Sequence, residues 1–365
     1  MPASATKRDI IDALLRRQEL PERMGIHEHF WPHICENAWD EQGYDGGDFT
    51  DEFDLDLVCV DWFDVPGPRP DMAGTVEETD DTVVSRNAWG AIYKNWKNKA
   101  GTPEHIGFSV TAETWAKDYR EAFCAMDMRA IARERAPGVA EQMQRRREQG
   151  RFVTLSFAYV FEKLRSILGD VCMLESLMLE TEFVHDFNRV IADAYLAYYD
   201  ELFNTIGLPD GIHFYEDLGY TRAPFASPKC HREMIHPYHL DLMALFKGHD
   251  LPVILHTCGD FRPHLPAIAE SGVDCIQAME AKTGMNVVDL AKDWKNDLCF
   301  MGNLDIRAFE SGDREAMRTE IESKTAGMRA LRAPYVVMSD HSVPPSVSLA
   351  DYRYALQCCR DNSAY

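Results

Sequence analysis

The 365-residue sequence predicts an α/β fold, a (β/α)8 or TIM barrel, on three observations. Eight short apolar or alternating runs are spaced along the chain, and from residue 170 they alternate regularly with helical patterns, as in the βαβ units of a parallel sheet. Eight parallel strands close most simply into a barrel, and such barrels span about 200 to more than 400 residues. A doubly wound open sheet is the alternative, but no G-x-G-x-x-G follows any of the runs.

The barrel elements are predicted in order along residues 1–365, which we interpret as one barrel domain. The eight strands are predicted at residues 23–30, 55–62, 152–159, 211–218, 252–259, 274–281, 298–305 and 335–342. Helical patterns separate the later strands at residues 174–206, 229–248, 262–271, 286–294 and 312–331.

Two additions to the barrel are predicted. Residues 1–22 form an amphipathic N-terminal helix, with Ile10, Ile11, Leu14 and Leu15 on one side. Residues 63–150 are an insertion between the second and third strands, which we expect to act as a lid over the barrel mouth. This insertion is rich in Pro, Gly and acids at 63–82, continues as the hairpin-like "TVVSRNAWGAIYKNWKN", and ends in helices at 112–149.

Composition restricts the partners and the compartment. Sixty acidic against 38 basic residues give a formal charge of −22, which repels phosphate backbones and anionic membrane surfaces. The ten cysteines are scattered without a C-x-x-C, which favours a reduced cytoplasm over secretion. The N-terminus lacks the apolar core of a signal peptide, and no run approaches the roughly 18 apolar residues of a membrane span. We therefore expect a cytoplasmic protein that binds neither nucleic acid nor membranes.

Polar side chains gather where the predicted strands end. In a strand, side chains at positions i and i+2 share a face, so His256 and Cys258 in "PVILHTCGD" point to one place beyond the sheet. A barrel rim with His, Cys and carboxylate donors offers the mixed ligand set that zinc accepts. Singly, each of these residues is more often a packed core or rim residue. The strand-end residues are His27, Glu28 and His29 in the first strand, Glu216 and Asp217 in the fourth, His256 and Cys258 in the fifth, Glu280 in the sixth, Asn303 and Asp305 in the seventh, and Asp340 and His341 in the eighth.

Longer motifs along the chain resemble a known family. The segments "DGIHFYEDLGY", "SPKCHREMIHPY", "ILHTCGDFRPHLPAIAESGVDCIQAME", "FMGNLDIRAFESGD" and "SDHSVPPSVSLADYRYAL" are similar to the uroporphyrinogen decarboxylase superfamily, specifically its corrinoid and zinc methyltransferase branch. The N-terminal "LPERMGIHEHFW" and "TVEETDDTVVSRNAWGAIYKNW" fit the same group, so the resemblance covers nearly the whole chain.

The resemblance implies a zinc ion at the barrel mouth. By motif, its ligands are His256, Cys258, Glu280 and His341, where His341 replaces the cysteine that the branch carries after its last strand. Asp340 is the alternative last ligand, in which case His341 is a general base or an outer group. A neutral imidazole in place of a thiolate leaves zinc more positive, which suits polarising a substrate oxygen.

The resemblance also implies the reaction. True uroporphyrinogen decarboxylases resemble one another in an arginine-containing segment after the first strand, where this chain has "HEHFWPHI". We therefore expect a methyltransferase that moves a methyl group from a methoxylated donor, in the sharpest form an aryl methyl ether, to the cobalt of a cobalamin-type corrinoid. No Asp-x-His-x-x-Gly motif is present, so a separate corrinoid protein is the expected partner.

Further rim residues are candidates for catalysis and substrate binding. Glu216, Asp217, Glu28 and His29 suit proton delivery, although capping and salt bridging explain them as well. For the substrate pocket the candidates are Trp31, Phe30, Trp62, Tyr215, Tyr220 and Asn303, for which packing or turn formation is the alternative.

Two other functions stay open at this point. A decarboxylase or lyase acting on a small carboxylate would turn over without a corrinoid protein. A non-catalytic zinc-binding barrel would have a closed four-ligand site and no substrate pocket. Barrels of this superfamily often form dimers, so the resemblance is compatible with a homodimer, and the sequence leaves the oligomeric state open.

Overall fold

The computed structural model describes residues 5–31, 38–98 and 102–365, and its centre is an eight-stranded parallel sheet rolled around one axis. Its strands are β1 (Gly25–Ile26), β2 (Leu57–Trp62), β7 (Phe152–Ala158), β8 (Gly211–Tyr215), β9 (Val253–Thr257), β10 (Cys275–Ala278), β11 (Cys299–Gly302) and β12 (Tyr335–Val337). The strand order is β1-β12-β11-β10-β9-β8-β7-β2, and the amide of Asp56, just before β2, donates to the carbonyl of Ile26 in β1 at 2.9 Å. The predicted (β/α)8 barrel is confirmed.

Each observed strand lies inside its predicted run and is shorter than that run. The polar residues predicted as strand ends mostly follow the last residue that pairs in the sheet, so they belong to the loops that begin there. This is the face at which barrel enzymes build their sites.

Helices surround the sheet. Two of the predicted helical stretches are interrupted: the first breaks at Glu180, and the second at Ile235, just before Pro237, whose ring cannot donate a helical hydrogen bond. The helices that follow the barrel strands are Val160–Leu168, Asp170–Leu179, Thr181–Ile206, Pro228–Met234, His236–Gly248, Leu265–Ser271, Val287–Trp294, Ile306–Glu310, Arg314–Leu331 and Leu349–Asp361.

The N-terminal helix, Lys7–Leu15, closes the base of the barrel. Its apolar side, predicted from the sequence, is buried against inward side chains of the strands, among them Ile254, Cys275 and Val336. Arg17 reaches the Asp274 carbonyl at 3.0 Å, which fastens the end of the helix to the loop before β10. The helix therefore covers this end of the barrel.

The insertion at 63–150 contains a second, antiparallel sheet. The hairpin predicted there is β4 (Thr82–Arg86) with β5 (Ile92–Trp96), and two strands that were not predicted flank it: β3 (Gly74–Glu78) and β6 (Glu104–Gly107). Helical segments follow at Ala112–Thr114, Trp115–Tyr119, Arg120–Cys124 and Met128–Glu148, and a short helix, Phe49–Glu52, precedes β2. None of the helices in the described ranges combines the length and the apolar character that crossing a bilayer requires.

Candidate metal centre

A wide cavity of about 1090 Å³ lies at the carboxyl ends of the barrel strands. Part of its wall comes from the insertion, including His105 and Phe108, so the insertion borders the barrel mouth as a lid would. Another part comes from the helices Val160–Leu168 and Asp170–Leu179, including Glu162 and Arg165, and the loops after the later strands add Asp217, Cys258, Glu280, Lys282 and His341.

Three side chains on this side of the barrel converge closely enough to share one cation. His256 Nε2 lies 3.3 Å from Cys258 Sγ and 3.5 Å from Asp217 Oδ1, and the three ligand atoms all lie within 4.8 Å of one another. Tetrahedral zinc with ligand bonds near 2.0–2.3 Å separates its ligand atoms by about 3.4–3.6 Å. The nitrogen, sulfur and oxygen donors therefore fit zinc in both type and spacing.

The local structure explains why these three groups meet. His256 is in β9 and Cys258 directly follows it, so both point to the mouth, while Asp217 follows the neighbouring strand β8. The amide of Cys258 donates to Asp217 Oδ1 at 2.9 Å, which holds the carboxylate against the pair. His256 and Asp217 keep 16% and 31% side-chain exposure, so the site is open to the cavity rather than closed.

Cys258 would bind a metal as the thiolate, and the surroundings of its thiol oppose deprotonation. Burial, together with the charge of Asp217, raises the pKa of the Cys258 thiol well above its ordinary value. A bound metal would have to displace this proton, so metal binding at this site releases a proton and weakens as the pH falls.

The other two predicted ligands lie on the same cavity wall but outside this group of three. Glu280 accepts a hydrogen bond from the Gly259 amide at 3.0 Å and pairs with Lys282 at 2.8 Å. The ring of His341 has its Nδ1 3.2 Å from the Ser342 carbonyl. Their roles as ligands stay predictions, and in this arrangement Asp217 takes the place nearest the His-x-Cys pair.

The carboxylate of Asp340, the alternative last ligand, is hydrogen-bonded to backbone amides. Its carboxylate is almost fully buried and accepts from the amides of Ala281 at 2.7 Å and Ile306 at 3.0 Å. It thus ties the loops after β10 and β11 together and does not face the cavity. Near it, Ala278 and Met279 have φ of +86° and +56°, a costly conformation for residues with side chains, and this turn directs Glu280 back to Gly259.

The adjacent acids Glu216 and Asp217 point to opposite sides. Glu216 is fully buried and accepts from the amides of Phe161 at 3.1 Å and Glu162 at 2.8 Å, so it caps the helix Val160–Leu168. His239 is a further partner of the Glu216 carboxyl, at 3.0 Å. Burial raises the pKa of Glu216 to about 8. The Glu216 carboxyl thus caps a helix and does not line the cavity, and its catalytic role stays a prediction.

The two first-strand candidates also separate. Glu28 accepts from the Ser339 amide at 3.2 Å and its hydroxyl at 2.6 Å, and it lies beside Cys359 of the C-terminal helix, where burial raises the pKa of Glu28 to about 8. This position joins the ends of β1 and β12 and lies away from the wide cavity. His29 points into the barrel with its ring 5.8 Å from that of His213, and burial lowers the pKa of His29 well below its ordinary value.

Of the predicted substrate-binding aromatics, some face the mouth and others pack elsewhere. Tyr215 stacks on His256 with ring centroids 4.5 Å apart, and Trp62, which is 47% exposed, meets Tyr215 at 4.8 Å. Trp31 lies 6.3 Å from the His341 ring. Tyr215 thus contacts the metal-capable group directly, Trp62 lies behind Tyr215, and Trp31 lies beside His341.

The remaining candidates for substrate binding lie away from the metal-capable group, and their roles stay predictions. Phe30 lies 4.4 Å from Phe49 and 5.1 Å from Tyr352, in an aromatic cluster outside the barrel. Tyr220 is 62% exposed on the loop after β8 and contacts Phe225 at 5.3 Å. Asn303 is fully buried, and its side chain bonds the backbone of the loop before the helix Val287–Trp294, accepting from the Val287 amide at 2.8 Å.

Sequence reasoning missed several residues at the site. Glu162 and Arg165 follow β7, the third barrel strand, and line the cavity; a rule that extends the rim one helical turn beyond each strand would have found them. Burial and the charge of Asp217 raise the pKa of Glu162 to about 8. His213 and Gln277 are polar residues inside otherwise apolar strands, which is a visible pattern that points to inward polar positions.

The fold and the site together define a (β/α)8-barrel protein with a metal-capable group at its mouth. The sequence pattern of the family described as Uroporphyrinogen decarboxylase (URO-D) matches residues 172–362, more than half of the chain, and the chain belongs to this family. A methyltransferase from Methanosarcina mazei has a similar structure, with a TM-score of 0.69 and 14% identity over 98% of each chain. At that identity the likeness shows the fold. No curated protein matches the sequence.

Proposed function

We propose that this protein is a zinc-dependent methyltransferase that moves a methyl group from a small methoxylated donor, in the sharpest form an aryl methyl ether, to the cobalt of a corrinoid carried by a partner protein. The observation that carries the proposal is the meeting of His256, Cys258 and Asp217 at the wall of an open cavity. The similar structure of a protein named as a methyltransferase supports the reaction class.

The residues that would hold zinc are His256, Cys258 and a carboxylate. Asp217 is the carboxylate favoured by distance, and Glu280 and His341 are close enough to the cavity to complete or exchange the set. When bound, zinc supplies Lewis-acid polarisation of the heteroatom that carries the methyl group. Three protein ligands leave a fourth position for that atom, as in other catalytic zinc sites.

Side chains beside His256 and on the cavity wall supply the remaining groups. Trp62 and Tyr215 offer flat apolar surfaces beside His256, which suit an aromatic ring. The carboxylate of Glu162 lies 3.3 Å from the backbone amide of Asp217. Glu162 is therefore placed to return a proton to a departing oxygen. Arg165 and Lys282 on the same wall are paired with neighbouring acids and limit the net negative charge there.

The size of the cavity supports a second reactant. Pockets for small ligands hold about 300–1,000 Å³, and a methoxylated aromatic fills only part of that range. A cavity of about 1090 Å³ therefore leaves room above a small donor for a corrinoid brought by a docking protein.

The test is a metal assay followed by a transfer assay. We expect the purified protein to hold close to one zinc per chain, and to demethylate members of a panel of methoxylated aromatics only when cob(I)alamin or a corrinoid protein is present. Cys258→Ala should lose both properties, whereas Cys172→Ser, at a half-buried cysteine on the same cavity wall, should keep them. Transfer that persists in the metal-free protein would refute the proposal.

A decarboxylase is the second candidate, favoured by the family to which the chain belongs. It predicts carbon dioxide release from a small carboxylate without any corrinoid, and the same panel, extended to carboxylates, separates the two functions. A closed zinc site without turnover is disfavoured by the exposure of Asp217 and His256 to the cavity.

A further inference from the structure

Gln277 is a buried polar residue directly beside the candidate metal centre. It is paired in register with His256 across β9 and β10, and it is 1% exposed inside the barrel. Its side-chain Oε1 contacts His256 Nδ1, and its Nε2 donates to Met338 Sδ at 3.5 Å. An amide in the interior of a barrel needs partners, and Gln277 has His256 and Met338, with the His213 ring also nearby.

The partners fix which way the amide faces. A thioether sulfur has no proton to give, so the group facing Met338 is the amide nitrogen. The oxygen of Gln277 therefore faces His256, and since an amide oxygen only accepts, His256 Nδ1 carries the proton. The lone pair of the imidazole is then on Nε2, the atom that faces Cys258 at 3.3 Å and Asp217 at 3.5 Å.

We propose that Gln277 is a positioning residue that holds His256 in the tautomer and orientation needed to bind a metal through Nε2. The inference rests on the proposed metal centre, and it adds a residue that does not touch the ion. Gln277 contacts the Nδ1 edge of the His256 ring, and Tyr215 stacks on a face of the ring with centroids 4.5 Å apart, so the two residues restrict its orientation in different directions. Hydrogen bonds of this kind to metal-binding histidines contribute about 10–100-fold to metal affinity.

The choice of a neutral acceptor has a chemical consequence. A carboxylate at position 277 would make the imidazole more basic and donate more charge to the metal, whereas an amide leaves the metal more electrophilic. This matches a centre whose task is to polarise a bound oxygen.

The experiment measures zinc affinity by competition with a chromophoric chelator in four proteins. We expect Gln277→Leu to bind zinc about 10–100-fold more weakly than the unmodified protein, and Gln277→Glu, which keeps an acceptor, to bind at least as tightly as the unmodified protein. Met301→Leu, at the residue paired with Gln277 on the other side in β11, is the matched control and should leave affinity unchanged. Equal affinity of Gln277→Leu and the unmodified protein would overturn the inference.

A second measurement needs no metal. In the metal-free protein, ¹⁵N shifts of the His256 ring should show the proton on Nδ1, and a proton on Nε2 would also overturn the inference. If the unmodified protein binds no zinc, the proposed function fails, and the tautomer still decides the role of Gln277.

Discussion

The protein contains two groups of buried histidines that differ in what surrounds them. In both groups the rings lie close together, His29 and His213 at 5.8 Å and His231 and His264 at 4.5 Å. Burial lowers the pKa of His213, in the first group, well below its ordinary value and that of His231, in the second, to about 2. The interior histidines, inside the barrel, are His27, His29, His213 and His256; the helix-layer histidines, outside it, are His231, His236, His239 and His264.

Only the interior histidines reach a place where a metal can bind. Their uppermost member, His256, meets a thiol and a carboxylate at an open cavity. The helix-layer histidines are sealed from solvent, and the carboxylate among them, Glu216, is already bonded to His239 and to two helix amides. Within the ranges 5–31, 38–98 and 102–365, Asp217, His256 and Cys258 are the one set of three or more donors close enough to share an ion. A candidate metal site therefore forms where an imidazole meets other kinds of donor at an open cavity. The number of clustered histidines alone does not create one.

The largest effect is expected from a substitution in the interior site. His256→Ala should lower zinc affinity by more than about 100-fold, because loss of a mere hydrogen-bond partner of a ligand already costs 10–100-fold. Zinc content after dialysis measures this. His231→Phe is the control from the other group and should retain the metal; equal loss in both variants would remove the distinction.

The next largest effects are expected at the adjacent acids Glu216 and Asp217. Glu216→Ala leaves buried partners of its carboxyl unsatisfied, namely His239 and the amides of Phe161 and Glu162, so we expect a loss of roughly 3 kcal/mol in unfolding free energy with unchanged zinc content. Asp217→Ala should show the opposite pattern. Urea denaturation and metal analysis of the two variants, side by side, would contradict the assignment if the patterns were exchanged.

A pH series tests the sealed group. The pKa of His231 is about 2 in the folded protein and ordinarily 6.5, so below pH 6.5 the unfolded chain binds a proton that the folded chain does not. The unfolding free energy of the unmodified protein therefore falls as the pH falls. His231→Phe lacks this contribution, and its stability relative to the unmodified protein should rise by roughly 2 kcal/mol between pH 7 and pH 5. A pH-independent difference would show that His231 titrates in the folded protein.

The smallest effect is expected at the rim of the interior site. Trp62→Ala removes an exposed ring that contacts Tyr215, so stability should change by no more than about 0.5 kcal/mol. The apparent KM for an aromatic donor should rise while zinc content stays constant. An unchanged KM would place the donor elsewhere in the cavity.

The sequence was sufficient to predict the barrel and two of the three residues of the metal-capable group. All eight strands were found because a parallel strand is a short apolar run whatever its neighbours are, and the His256 and Cys258 pair follows from the two-residue period of a strand. The edge strands of the antiparallel sheet were missed, since β3 is exposed along its whole length and has no apolar pattern.

The directions of side chains after the strands could not be predicted. Glu216 and Asp217 are neighbours in sequence, and the point where β8 ends decides which of them faces the mouth. Glu280 is turned toward Gly259 by positive φ at Ala278 and Met279, which are not residues that favour this conformation. Loop conformation depends on contacts far away in the chain, and local patterns carry little information about it.

The N-terminal helix covers the amino-terminal end of the barrel, so ligands would reach the site from the opening at the carboxyl ends of the strands. In the proposed reaction, the small donor and a corrinoid-bearing protein would share this opening. The proposal therefore implies an order of binding, in which the donor arrives before the protein docks and the demethylated product departs after the protein has left.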